Sequence, residues 1–440
     1  MKFKFDLQKV FCFASLFFIL GCIIIYGGTF INLYLENEKA LAELDTVKPF
    51  YEQLINNNYD SENFAKIDKT YYFKGNATNN YISYSNLLWR IVKINEDNSL
   101  VLVTDNVIGT LAYGNINTPY QDSNISNWLN NTETGKFIKI LNDKEKYLKL
   151  TNTCTDTISS IENITCNNIV ENQYLGLLSL NDYLNTGGNT SFINNGKYTY
   201  LANKNEEQKI WYITNNGSID TTDGNDILGI KPTITLLSTI NMLNGNGTIE
   251  NPYTFEESKG LIGSYVKLNQ DLWRIYEEKE GIVKLVLQDT IKENNIDIKH
   301  IYSNDTYYHN DTIKNSLAYY LNKNYYDSLS YKDLILETNY VNGLYGKENN
   351  YNYQDISTKT IKTKITTPSL EDIIFNDNLN DYFTNTGKIE NQEAIYIQKA
   401  NGITSTKLVI SENNIVPCIS IKQEKLTLGT GTQTDPYRTE

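Results

Sequence analysis

From Tyr71 onward the apolar residues come in short runs separated by clusters of Asn, Gly, Asp and Ser, the texture of strands joined by turns. Trp89-Arg90-Ile91-Val92-Lys93-Ile94 and Ser99-Leu100-Val101-Leu102-Val103 bracket Glu96-Asp97-Asn98, which predicts a β-hairpin. Leu272 to Ile275 and Ile282 to Leu287 predict a second one around Glu280-Gly281. Ser126-Asn127-Trp128-Leu129-Asn130 and Lys314 to Leu321 have the apolar spacing of helices, with Ser123 or Asp311 near their starts. Gly176 to Leu180 reads as a strand entering a short helix begun at Ser179, and Ser369-Leu370-Glu371-Asp372 carries the same acidic first turn. Ile210 to Ile213, Ile230 to Leu236, Ala394 to Ile397 and Val416 to Ile421 supply further strands. Mixed strands with short helices predict an α+β fold whose sheet is mixed and mostly antiparallel.

The same landmarks occur twice, in one order, about 184 residues apart. Leu88-Trp89-Arg90-Ile91, Ser179-Leu180-Asn181-Asp182, Lys231-Pro232-Thr233-Ile234, Gly245-Asn246-Gly247-Thr248 and Asn251-Pro252-Tyr253 are matched in the second half of the chain. Their counterparts are Leu272-Trp273-Arg274-Ile275, Ser369-Leu370-Glu371-Asp372, Val416-Pro417-Cys418-Ile419, Gly429-Thr430-Gly431-Thr432 and Asp435-Pro436-Tyr437. A 440-residue chain exceeds one ordinary core, so the expectation is two homologous domains, 69–257 and 258–440.

Ahead of them, Val10 to Leu35 is uncharged over about 26 residues, enough to span a bilayer as a tilted helix. Lys2, Lys4 and Lys9 precede it and Glu36, Glu38, Glu43 and Asp45 follow, which places residues 1–9 in the cytoplasm and the bulk of the chain outside. The expected order is therefore a cytoplasmic terminus 1–9, a transmembrane helix 10–35, a helical stalk 36–68 interrupted near Pro49, and the two domains. Ile19-Leu20-Gly21-Cys22 offers a competing route, a lipoprotein anchored at Cys22.

The net charge of −13, with no basic stripe beyond the N-terminus, excludes nucleic acid as a partner. No HExxH, CxxC, GxSxG or GxxxxGK[ST] pattern is present, and the two histidines, His300 and His309, both fall in the second half, where they read as surface residues. An acid–base reaction using His could not be common to both domains, so no enzyme activity, catalytic residue or cofactor is expected. Cys154 and Cys166 share one polar loop and read as a disulfide, with metal binding or a reactive thiol as alternatives. Cys418 sits in an apolar strand pattern and reads as a buried hydrophobe. Asp220, Asp223 and Asp226 around Gly224 are weak calcium candidates without the spacing of an EF-hand, in a segment that equally suits a turn. Trp89 and Trp273 are expected to face the core, with Arg90 and Arg274 outward.

The Trp-Arg-Ile hairpins, the Asn-Trp-Leu-Asn helix, Leu177-Leu178-Ser179-Leu180-Asn181-Asp182-Tyr183, the x-Pro-x-Ile strands and the closing Gly-x-Gly-Thr with Asn-Pro-Tyr resemble a family of bacterial surface domains. That family occurs in anchored or secreted proteins of low-GC Gram-positive bacteria, and it resembles the C-type-lectin-like superfamily, to which the formylglycine-generating-enzyme fold also belongs. The resemblance covers Tyr71 to Phe255 and, more weakly, Leu261 to Glu440. The family's Trp-Trp-Leu-Arg-Ser strand corresponds here to Ile210-Trp211-Tyr212-Ile213-Thr214, and its Arg-Pro strand to Lys231-Pro232 and Val416-Pro417. The calcium motifs of sugar-binding lectins and the paired cysteines of the oxidising enzymes are absent. The resemblance implies two tandem C-type-lectin-like domains at the cell surface, a non-catalytic recognition or adhesion module for protein or glycan. The alternatives are a structural envelope component without a small ligand and a divergent extracellular enzyme.

Overall fold

The computed structural model describes residues 48–440 except 162–163, 165, 257–259, 305, 307–308, 346–358, 376–380, 389–392 and 399–402, together with 26–27, 29 and 32–34. The expected membrane segment 10–35 thus lies almost wholly outside the described residues, as do Cys22 and residues 36–47 of the stalk. Among the described residues no helix is long and apolar enough to cross a membrane.

The fold is sheet-rich α+β with few short helices. A nine-stranded sheet in the first half runs in the order Phe64–Ile67, Thr70–Phe73, Leu87–Ile94, Leu100–Thr104, Pro232–Leu236, Gly176–Leu177, with Tyr81–Tyr84 paired to the start of Leu87–Ile94. A five-stranded sheet, Ile219–Thr222, Ile210–Ile213, Thr199–Lys204, Ile227–Ile230, Gly109–Ala112, accompanies it. In the second half, a five-stranded sheet has the order Tyr265–Leu268, Asp271–Lys279, Ile282–Leu287, Cys418–Lys422, Ile365–Thr366. A six-stranded sheet built around Tyr382–Lys388 and Glu393–Gln398 lies beside it.

The two halves pair their strands in matching register. Tyr81 faces Arg90 as Tyr265 faces Arg274, and the register slips between Ile91 and Lys93 as it does between Ile275 and Glu277. Such a slip bends the strand and re-aims the side chains after it. Past it, Lys93 faces Val101 and Glu277 faces Lys284. Thr233 faces Val103 where Cys418 faces Val286.

Trp89 and Trp273 are fully buried, as the alternation of each strand requires. Arg90 does not face outward: it is buried between the rings of Tyr81 and Phe192 and forms an ion pair with Asp105 at 3.3 Å. Arg274 is half-buried between Tyr265 and Phe375, donating to the carbonyls of Gly263, Phe375 and Asn86. The planar guanidinium satisfies several acceptors at once while its faces stack on rings, which makes its burial tolerable.

Three of the expected secondary-structure elements differ as well. The helical stalk drawn to residue 68 is, in its described part, a helix at Phe50–Asn58 followed by the edge strand Phe64–Ile67. Phe50 and Leu54 are buried and Phe50 packs edge-on against Tyr253, so apolar burial draws this segment onto the first half. The helical turns of the second half begin at Leu317 rather than near Asp311, because Ser316 supplies the capping hydroxyl to the Tyr319 amide. Ser179 caps the helix Leu180–Asn185 through the Asp182 amide, but Ser369 opens only a turn, its own amide donating to the Asp372 carboxylate at 2.8 Å.

Apolar packing is continuous across the seam between the halves. The larger core contains Trp89, Trp128 and Phe137 of the first half together with Leu370, Ile373, Phe375 and Val416 of the second. A smaller core forms around Trp273, Leu285, Phe383 and Ile419.

Candidate functional site

A cleft of about 490 Å³ opens on the first half, between the tip of the Trp89 hairpin, the strand Pro232–Leu236, the start of the helix at Leu180 and the hairpin of Thr151–Cys154 with Ile169–Gln173. The capped helix presents Asp182 to its floor. There Lys93 Nζ donates to Asp182 Oδ1 at 2.7 Å and the Tyr72 hydroxyl donates to the same oxygen at 3.0 Å. Burial raises the Tyr72 pKa, and the Asp182 charge raises it further, so the phenol stays a donor. At the rim Lys149 donates to Asp97. Burial would raise the Asp97 pKa, but the bonds from Lys149 and Ser99 outweigh it and bring it down to about 2. Both ion pairs of the cleft are closed on themselves.

The covering hairpin is fixed at three points. The hydroxyls of Thr151 and Thr235 meet at 3.0 Å. Gly176 lets Thr153 approach, since a Cβ there would sit 2.1 Å from Thr153 Oγ1. Cys154 and Cys166 are joined by a disulfide with their Cα atoms 5.8 Å apart. Asp156 lies close enough to both sulfurs to complete a three-ligand cluster. Bridged sulfurs are not thiolates, however, and the Asp156 carboxylate accepts the amides of Asn167 and Asn168, so the group is a staple for this loop and not a metal centre. Thr153 is buried with its hydroxyl free of any hydrogen-bond partner among the described residues, and it lines the cleft together with Val101 and Thr233.

The corresponding place in the second half is filled. Thr338 pairs with Thr363 as Thr151 pairs with Gln173, and the Thr338 hydroxyl meets that of Ser420 at 2.8 Å. This register puts Tyr340 where the first half has Thr153. Tyr340 is buried, bonds Ser420 Oγ at 2.7 Å and stacks under Lys284, which occupies the position of Val101. Cys418, buried, stands in place of Thr233. Glu277 replaces Lys93 and pairs with Lys284 at 2.8 Å. What remains is a seam pocket of about 520 Å³ lined by Lys136 of the first half and by Glu277, Glu371 and Asp372.

The other sequence candidates do not converge on either place. Asp220, Asp223 and Asp226 spend oxygens locally, on the Thr221 amide, the Asn225 amide and the Thr222 hydroxyl, and no metal-sized cluster forms from them among the described residues. His300 is half-buried beside Tyr320. His309 is not a surface residue: it is buried, and burial pushes its pKa down to about 4. Lys231 is buried and donates to the Ile193 carbonyl at 3.0 Å, its pKa lowered by burial to about 8 despite the nearby Asp105.

Neither Thr153 nor Lys136 stood out in the sequence, and Glu371 was marked only as part of an acidic first turn. One signal was available, because the hairpins read Trp89-Arg90-Ile91-Val92-Lys93 and Trp273-Arg274-Ile275-Tyr276-Glu277, so a charge reverses at one repeated position. No protein-family model matches the chain, and no curated protein or solved structure does either.

Proposed function

We propose that the chain is a surface recognition protein, two tandem C-type-lectin-like domains held outside the membrane by the N-terminal apolar segment, without enzymatic activity. The first domain binds its ligand in the cleft under the disulfide-tied hairpin. The observation that carries this reading is the contrast between an open cleft around Thr153 and the same position filled by Tyr340. Small residues at Thr153, Val101 and Thr233 keep a concave surface open on a sheet that would otherwise pack shut. Its charges are paired internally, so a neutral hydrogen-bonding ligand such as a glycan segment suits it better than an ion. The hairpin supplies contacts and the sheet fixes their positions.

The test is binding of the full-length protein in detergent to a glycan array and to purified cell-wall fragments, with and without calcium. Saturable, calcium-independent binding supports the reading. No binding by folded protein removes the glycan ligand and favours a structural envelope role.

A further inference from the structure

Trp128 Nε1 donates to the Glu371 carbonyl at 2.8 Å, joining the helix Asn124–Asn130 of the first half to the turn that follows Ser369 in the second. The chain folds back after that helix, with the Lys136 amide on the Trp128 carbonyl at 2.9 Å. This brings Lys136 Nζ to 3.6 Å from Glu277, 3.8 Å from Glu371 and 3.7 Å from Asp372. Glu277 is also bonded by Lys284, and Asp372 accepts the Ser369 amide. Glu371 is wholly buried, and neither of its carboxylate oxygens accepts a hydrogen bond among the described residues. In the first half Asn181 stands at the position of Glu371, and Asp182 has Lys93 to itself. The second half therefore carries an extra buried acid, and the cation beside it belongs to the other half.

We infer that Glu371 makes the seam a pH-operated latch, which holds the two halves together while its carboxyl is protonated and loosens when the carboxyl ionises. Burial raises Glu371 from an ordinary 4.5 to about 7, with the charges of Asp372 and Glu277 adding to the rise and Lys136 opposing it. The other groups facing the pocket are Glu133 and Lys139 from the first half and Glu278 and Lys279 from the Trp273 strand. Behind Asp372, Tyr276, Tyr382 and Cys418 have pKa values raised by burial and stay neutral through this range. A group whose pKa is higher in the closed seam than in the opened one stabilises closure fully below about 4.5. That contribution drains away as pH rises towards about 7. Between pH 6 and pH 8 the two values give about a tenfold increase in the opened fraction.

The test is hydrogen exchange on the full-length protein at pH 6 and pH 8, with rates corrected for the intrinsic effect of pH. Peptides spanning 124–140 and 369–375 are expected to open about tenfold more at pH 8, while a peptide from Leu100–Thr104 does not change. Glu371→Gln, which copies the shape of the neutral acid, abolishes the difference, and Lys136→Met moves it to higher pH by removing the opposing cation. Equal protection of the seam at both pH values overturns the proposal, as does a pH response that survives Glu371→Gln. If Glu371→Gln does not fold, an unmoved transition in Lys136→Met overturns it instead.

Discussion

The hydroxyl of Thr151 lies 3.0 Å from that of Thr235, across the boundary between the disulfide hairpin and the main sheet of the first half. Both side chains are buried, so each hydroxyl depends on the other for a partner. Thr151→Val keeps the shape and strands the Thr235 hydroxyl. The expected loss is about 1–2 kcal/mol, measured by urea denaturation. The cleft should lose affinity with it, because its roof is no longer fastened.

Lys93 and Asp182 form the ionic floor of the cleft, both side chains less than one-fifth exposed. Lys93→Glu copies the residue of the second half without supplying a Lys284 or a Lys136 to meet it. Two carboxylates then face each other in a partly buried site, and a loss of about 3 kcal/mol is expected. Urea denaturation of Lys93→Glu beside wild type measures that loss.

The disulfide between Cys154 and Cys166 closes a short loop, 12 residues apart in sequence. Replacing both cysteines with serine should cost about 2–3 kcal/mol on a chain-entropy argument. Calorimetry should register a lower melting temperature, and proteolysis should show cuts concentrated near residues 154–168.

His309 is buried with its pKa pushed down from 6.5 to about 4. The unfolded chain takes up a proton at higher pH than the folded one. The His309 contribution to stability is therefore complete above about 6.5 and is lost as pH falls towards about 4, up to about 3 kcal/mol. His309→Phe should flatten this part of the acid denaturation curve.

The hairpins, the helix caps at Ser123 and Ser179 and the matched strand order were legible because each rests on local signals, period-two alternation and turn or capping residues. The burial of Arg90 was not, since it depends on Asp105, Tyr81 and Phe192 arriving from separate elements. The stalk was misread past Asn58, because the place of the short strand Phe64–Ile67 is decided by its pairing with Thr70–Phe73. The cleft was hidden because Thr153 and Tyr340 lie in hairpins of unlike sequence and become comparable only through register. The seam contacts of Lys136 join residues far apart in the chain, which no local pattern encodes.

If the first half recognises its ligand through the cleft left open at Thr153, filling that cleft must abolish binding. The most direct measurement compares wild type with Thr153→Tyr, which builds into the first half the residue that fills the second, for binding to cell-wall fragments and the glycan array. Saturable binding by wild type and its loss in Thr153→Tyr are expected, with Thr153→Tyr still melting cooperatively at a somewhat lower temperature because the added ring crowds a buried site. Equal binding by the two proteins, or none by folded wild type, would contradict that reading.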